Sequence, residues 1–447
     1  MTTPTSPQAV TLAQALAYWF KLGFISFGGP AGQIAMMHAE LVERRRWISE
    51  QRFLHALNYC MLLPGPEATQ LAVYIGWLMH RTVGGVLAGA LFVLPSLAIL
   101  ILLSWIYLAY GSLPVVAGVL YGIKPAVVAI VLAAAWRLGS RSLKNGWLIG
   151  IAVAALLAIG VMQLPFPAIV LGAALIGIVG GRLLPQSFQP GGAHGAAAAS
   201  TYGPAIIDDT TPPPPHARFS WARLALVLGI GIALGLAVWT TLALLYGRAS
   251  PLAQMGWFFT KAAMLTFGGA YAVLPYVYQG GVQTYQWLSA AQMIDGLALG
   301  ETTPGPLIMI VAFVGFVGGW SKMLFGPDHL LLAGTTAACV VAFFTFLPSF
   351  IFILAGGPMV ESTRGNIRLT APLTAISAAV VGVVVSLALF FAWHVFGLAA
   401  PPARWDWTAI GISAVALLAL TRYKAGTIKL ILACAAAGLV VSYLRQA

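Results

Sequence analysis

The sequence predicts an all-α polytopic membrane protein made of two inverted-topology repeats, with re-entrant or broken helices at Phe-Gly-Gly and Pro-Gly-Pro motifs. Three observations predict it. The 447 residues are 60% hydrophobic and only 8% charged, whereas a soluble domain carries about 25% charged residues. Lys21, Phe27-Gly28-Gly29, Trp47 and Pro64-Gly65-Pro66 recur as Lys261, Phe267-Gly268-Gly269, Trp287 and Pro304-Gly305-Pro306, always 240 positions later. Finally, Glu43-Arg44-Arg45-Arg46 of the first copy is replaced by Gln283-Thr284-Tyr285-Gln286 in the second. Arginine clusters mark loops held on the cytoplasmic side. A copy that keeps its Gly/Pro framework but loses its arginines reads as one inserted the other way up.

The elements follow in chain order. Apolar runs of spanning length cover roughly 84–109, 115–136, 146–162, 165–182, 222–247, 331–356, 370–397, 405–421 and 426–444. Four further segments, near 12–37, 54–80, 253–279 and 291–319, are apolar but interrupted by the Phe-Gly-Gly or Pro-Gly-Pro motifs. If these four enter and leave on one face, most Lys and Arg fall on the face of Arg44–Arg46, as the positive-inside bias requires. If they span fully, Arg137, Arg141 and Lys144 land on the wrong side. Leu94-Pro95-Ser96 matches Leu347-Pro348-Ser349 at a separation of 253, and the extra residues fit the loop at Phe325–Asp328. The domains are therefore 1–182 (first repeat), 183–221 (a flexible, solvated Pro/Gly/Ala linker) and 222–447 (an inverting helix plus the second repeat).

Charge and cysteine use narrow the classes. The net charge of +12 sits mostly beside apolar runs, which is a topological role and not a nucleic-acid footprint. Cys60, Cys339 and Cys434 lie in apolar runs with no metal or disulfide spacing, so no cofactor is expected. The sequence contains no P-loop and no catalytic constellation, which argues against an enzyme. The first eleven residues lack a basic n-region, so the first apolar run reads as retained.

The chemistry is concentrated at the breaks. Proline removes a backbone donor and clashes with the preceding turn, and glycine permits the dihedrals of the break. Broken helices at membrane depth lie within protein or line a wet cavity. A half-helix that begins there offers free N–H groups and a positive dipole end to an anion. Candidate anion contacts are Gly28, Gly29, Gly65, Gly268, Gly269 and Gly305, together with Ser26, Thr266, Thr303 and Asn58. Gln33, Thr69, Gln70 and Thr302 are further polar neighbours. Lys21 and Lys261 stand six residues before each Phe-Gly-Gly. Snorkelling to the interface is the bland alternative, but recurrence at one position in oppositely oriented repeats favours a paired cationic site that suits a doubly charged oxyanion. Glu67 and Glu301 flank the two Pro-Gly-Pro motifs as candidate proton-coupling groups or salt-bridge partners. Asp295, His38 and His55 are weaker candidates.

FGGPAG (27–32), MMHAELVERRRWIS (36–49), LLPGPEATQLAVYIGW (62–77) and FVLP (92–95) resemble the chromate ion transporter family. FGGAYAVLP (267–275), VQTYQWLS (282–289) and DGLALGETTPGPL (295–307) resemble its second-half motifs. The resemblance covers most of the chain and matches the long two-domain form. It implies chromate transport across the bacterial inner membrane, efflux that confers chromate resistance, coupling to protons and competition by sulfate. It also admits a homodimer. The residues themselves reach only a small oxyanion crossing a lipid bilayer. An oxyanion-selective channel and an importer of sulfate-like anions stay open as alternatives.

Overall fold

The structure is a computed structural model that describes residues 9–27, 29–111, 113–188, 202–212, 214–267, 269–362, 370–399 and 404–446. Gly28, Gly268, Arg364, Arg368 and linker residues 189–201 lie outside the described residues. Among the described residues the regular structure is helical. The first repeat holds α1 (Leu12–Ile25), α2 (Gly29–His38), α3 (Glu50–Leu62), α4 (Glu67–Tyr110), α5 (Pro114–Ser142), α6 (Gly146–Gly160) and α7 (Phe166–Leu183). Helix α8 (Trp221–Tyr246) follows the linker. The second repeat holds α9 (Pro251–Met264), α10 (Ala270–Tyr278), α11 (Ala290–Thr302), α12 (Ile310–Ser321), α13 (Leu330–Ser362), α14 (Thr370–Val395), α15 (Trp407–Thr421) and α16 (Thr427–Gln446).

The Phe-Gly-Gly segments double back. Tyr18, early in α1, packs edge-on against Trp47, with ring centroids 5.4 Å apart. Arg45 lies 5.2 Å above the same tyrosine ring. The chain therefore leaves the Tyr18 level, turns at Phe27–Gly29 and returns. Nine residues of helix climb only about 13 Å, far short of the ~30 Å hydrocarbon layer. The second repeat repeats the contact at the same positions, with Phe258 5.5 Å from Trp287. Both returning limbs pass through a π-helical turn, 39–44 and 279–284, and each loop places a non-glycine residue at φ 51°, Arg46 and Gln286.

The Pro-Gly-Pro segments are hairpins as well. Tyr59 and Tyr74, on opposite sides of the first motif, have centroids 6.1 Å apart. In the second repeat a Cβ on Gly296 of α11 would meet the Phe313 ring of α12, so α11 folds back on α12. Helix α4 is itself two helices. His80 (φ −133°, ψ 33°) and Arg81 (φ 58°) break it, and Gly76 faces Gly84 while Trp77 faces Gly85, the pairing of an antiparallel turn. The corresponding turn in the second repeat is longer: Gly319 faces Ala333 across residues 322–329. That longer turn accounts for the shift in repeat separation from 240 to 253.

Opposite orientation of the repeats follows from one helix. The second limb of α4, 82–110, is roughly 43 Å long at 1.5 Å per residue. Its first end adjoins the Arg44–Arg46 side, where His216 of the linker bonds the Trp77 carbonyl at 3.0 Å. Near its far end, Tyr107 donates to Asp295 of α11 at 2.8 Å. The loop around Arg44 and the loop around Gln283 thus occupy opposite ends of a span-length helix. Helix α8, 26 residues, carries the chain across so that the second repeat starts from the far face. The last three helices of each repeat are exchanged. Helix α5 packs between α15 and α16, and α14 packs against α6 and α7. Gly122 touches Gly438, and Gly382 touches Ala152.

The expectation of a free linker differs from the structure where residues are described. Residues 206–207 pair with the Arg loop through Ile206 N–H to the Arg46 carbonyl, Ile207 N–H to the Trp47 carbonyl and Ser49 N–H to the Ile207 carbonyl, each 3.0 Å. Backbone pairing and the buried side chain of Ile207 outweigh the low-complexity composition there.

One prediction concerns topology. In a background lacking native cysteines, Arg44→Cys and Gln283→Cys should react with a membrane-impermeant maleimide from opposite sides of oriented vesicles. Labelling of both from one side would contradict the fold.

Candidate functional site

The four hairpin tips meet in pairs, and each pair crosses between repeats. The Gly65 N–H donates to the Thr266 carbonyl at 2.7 Å, and the Gly305 N–H donates to the Ser26 carbonyl at 2.9 Å. Gly65 and Gly305 are equivalent positions, as are Ser26 and Thr266, so these are two copies of one contact across an approximate two-fold axis. The contact exists because Pro64 and Pro304 end their helices and leave the following glycine N–H free. That N–H then finds the carbonyl that the Phe-Gly-Gly break releases on the other repeat.

Each junction is closed by a serine. Ser349 of α13 sits against Gly65, and Ser96 of α4 sits against Gly305. Gly65 (φ 125°) and Gly305 (φ 104°) are left-handed, a region that glycine adopts without strain. Gln33 spans the second junction, donating to the Ser26 and Gly305 carbonyls at 3.2 and 2.5 Å. Gln70 braces the first, donating to the Pro64 carbonyl at 2.8 Å and to Ser349 Oγ at 3.4 Å.

The junctions leave polar atoms unused. Ser26 Oγ, Gln33 Oε1, Thr69 Oγ1, Gln70 Oε1 and Ser96 Oγ are buried without a hydrogen-bond partner. Leaving one buried polar group unmade costs about 1–3 kcal/mol, and half of the ten such atoms among the described residues belong to these five side chains. Beside them, a Cβ on Gly29 or Gly269 would meet open space. These are the starts of α2 and α10, where free N–H groups and the helix dipole favour an anion.

The expected residues divide. Ser26, Gly65, Gly305 and Thr266 are brought together at the junctions. Thr303 is buried nearby, and its hydroxyl donates to the Gly300 carbonyl at 2.9 Å, as that of Thr266 does to Ala262 at 2.7 Å. Glu67 opens α4 directly after Pro66 and has no ion-pair partner among the described residues. Glu301 accepts a hydrogen bond from Tyr271 and lies within the field of Arg137. Asn58 is exposed on α3, away from the junctions. Lys21 lies on the exposed face of α1 beside Phe20 and Phe24. Lys261 lies 5.8 Å above the Trp257 ring. Each lysine is one helical turn from the aromatic contact that marks its own loop. Among the described residues neither lysine has an ion-pair partner. His38 bonds Glu43 at 3.1 Å and Glu50 at 2.5 Å within the Arg loop. In that loop Glu40 binds Arg45 at 2.7 Å and Arg44 at 3.3 Å; the Arg45 hydrogen bond, helped by the charges of both arginines, holds the Glu40 carboxyl below its usual range.

Three arrangements escaped the sequence, although Asp295 itself stood among its candidates. Ser96 and Ser349 carry a signal in their duplication, which in the sequence marks only the repeat. Arg52 pairs with Glu361 at 3.3 Å, both nearly fully buried. Lys124 pairs with Asp295 at 3.1 Å. Both ion pairs join residues from different repeats, far apart in sequence, and no spacing rule connects them.

Comparison with known proteins decides the family. The chromate transporter family model matches residues 13–178 and 253–439. The chain belongs to the chromate transporter family. A chromate transport protein of Pseudomonas aeruginosa is 32% identical over 391 residues, 86% of this chain and 82% of that protein. One of Cupriavidus metallidurans is 30% identical over 382 residues, 86% and 83% of the two chains. A probable chromate transport protein of Synechococcus elongatus is 29% identical over 381 residues, 84% and 83%. No solved structure matches the chain. Together with seven helices long and apolar enough to cross a membrane among the described residues, family membership makes this a multi-pass membrane transporter.

Glycine substitutions test the junction geometry. Gly65→Ala and Gly305→Ala add both backbone strain, about 1–3 kcal/mol, and overlap with Ser349 or Ser96. Gly29→Ala and Gly269→Ala add strain alone. Thermal unfolding in detergent should rank the first pair clearly below the second, and Gly65→Ala should recover part of its loss when combined with Ser349→Gly. Equal loss at all four positions would contradict the packing described.

Proposed function

We propose that this chain exports chromate, or a sulfate-like divalent oxyanion, from the cytoplasm in exchange for protons. The observation that carries it is the pair of crossed junctions: buried hydroxyls without partners, beside helix starts with open space, in a chain of the chromate transporter family. A desolvated dianion needs donors preorganised by the fold, and serine and threonine hydroxyls can supply them. Ser26, Thr69 and Ser96 offer the free hydroxyls, and the starts of α2 and α10 offer N–H groups. The relatives named as chromate transport proteins support the substrate. A structure with two sets of tips, approached from opposite faces, supports alternating access.

The Arg44–Arg46 loop, Arg81 and the docked linker with Arg218 and Arg223 share one end of the molecule, and the positive-inside bias makes that end cytoplasmic. The membrane is then the bacterial inner membrane, and the chain divides into repeats at 1–182 and 222–447. Glu67 and Glu301 are the proton carriers in this scheme, since each carboxyl stands beside a Pro-Gly-Pro tip. Lys21 and Lys261, at interfacial depth, serve anchoring and local attraction of anions.

Reconstituted vesicles test the scheme. With an inwardly directed proton gradient, the wild-type protein should move chromate against its gradient, and sulfate should compete. Glu67→Gln and Glu301→Gln should each remove the pH dependence of net flux while keeping chromate–chromate exchange within a few-fold of wild type. Unchanged pH profiles in both variants would exclude these carboxyls from coupling. An unsaturable flux whose reversal potential follows chromate alone would establish a channel.

A further inference from the structure

The same contact recurs at the two ends of the molecule with different chemistry. Tyr107, near the end of α4, meets Asp295 of α11. The equivalent positions in the other half are Val360, near the end of α13, and His55 of α3, and there His55 Nε2 lies 3.3 Å from the Val360 carbonyl. At each end the base of one repeat's Pro-Gly-Pro hairpin is thus fastened to the spanning helix of the other repeat. An ion pair stands on each fastening. At the Arg44 end, Arg52 of α3 meets Glu361 of α13 at 3.3 Å, and Tyr74 donates to the same carboxylate at 2.6 Å. At the Gln283 end, Lys124 of α5 meets Asp295 of α11 at 3.1 Å.

We infer that Arg52–Glu361 and Lys124–Asp295 are the two gate latches of the transport cycle, each closing the slot between a hairpin and the opposite repeat on its own side of the membrane. This inference rests on the transport function proposed above. The hairpin tips reach the junctions only from within the protein. In this scheme an anion arriving from either face enters between a hairpin base and the helix it is fastened to, since the tips themselves are tied together by the crossed glycine bonds. A salt bridge across that slot holds it shut, and separation of the partners lets the hairpin tilt. Both latches are formed in this structure, so it represents a state closed at both ends.

The latches are unequal. Arg52 and Glu361 are 6% and 3% exposed, whereas Lys124 is 32% exposed. Arg52 also donates to the Thr211 carbonyl, which adds the linker as a third strand of that closure, and Ser49 on the same turn binds Asp209 at 2.5 Å. A pair with a partly hydrated cation separates at lower cost than one whose charges are both removed from water. The Gln283 end therefore opens more readily than the Arg44 end.

Side-specific labelling reads this directly. Ser96→Cys, in a background without Cys60, Cys339 and Cys434, places a buried reporter at a junction. Asp295→Asn should raise its labelling by an impermeant reagent at least five-fold from the Gln283 side only, and Glu361→Gln should do so from the Arg44 side only. Because a truncated buried pair leaves an uncompensated charge that can unfold the protein, the neutral double variants Lys124→Met/Asp295→Leu and Arg52→Leu/Glu361→Leu must give the same side-specific pattern. Labelling that rises equally from both sides, or not at all, in folded single and double variants overturns the inference. The measurement uses no substrate: side-specific opening of the reporter variants, with a wild-type protein that moves no chromate, would keep the latches and reject the substrate.

Discussion

Two amide–carbonyl hydrogen bonds organise this molecule. A helix interrupted within hydrocarbon strands its backbone groups, and each stranded group costs several kcal/mol unless something satisfies it. Here the groups freed by a proline break in one repeat are satisfied by those freed by a glycine break in the other. Neither repeat can complete its own tips. The hairpins, the serines on α4 and α13, and the glutamines that brace the turns all serve to place Gly65 against Thr266 and Gly305 against Ser26. The long spanning helices then set the distance between the two faces from which those tips are reached.

The duplication preserved geometry and let chemistry drift. Gln33, Glu67, Thr69 and Gln70 of the first repeat correspond to Val273, Leu307, Met309 and Ile310 of the second. The unpartnered polar atoms accordingly gather on first-repeat residues, while Glu301, which the first repeat lacks, supplies the second carboxyl. Even the fastening points follow this rule: Tyr107 with Asp295 at one end, Val360 with His55 at the other. The result is a two-fold framework with unlike linings.

Most of the architecture was readable in the residues. Apolar runs placed α5 to α8 and α13 to α16, with α5 and α13 each ending six residues beyond the expected run, because a membrane helix must be continuous in both length and hydrophobicity. The hairpins were readable from the breaks and the loop charges together. The sites were less so. Ser26, Gly65 and Gly305 fell where their motifs put them, but Asn58 turned outward, since one residue of error in helical phase moves a side chain by 100°. Lys21 and Lys261 recur one helical turn from the Tyr18–Trp47 and Phe258–Trp287 contacts, a spatial relation that position along the chain does not reveal. The ion pairs Arg52–Glu361 and Lys124–Asp295 depend on which helices cross, and a single sequence carries no record of that.

Helix α8 has a consequence for how such a protein can be encoded. Among its described residues only Gly231 and Leu242 are buried, so it contributes little to the packed body. Its task is to reverse the sense of the second half. If the two halves were separate polypeptides, each oriented by its own basic residues, the same interlocked body could assemble with this crossing segment left out. The fused gene, by contrast, fixes one-to-one stoichiometry and mutual orientation in a single act of synthesis.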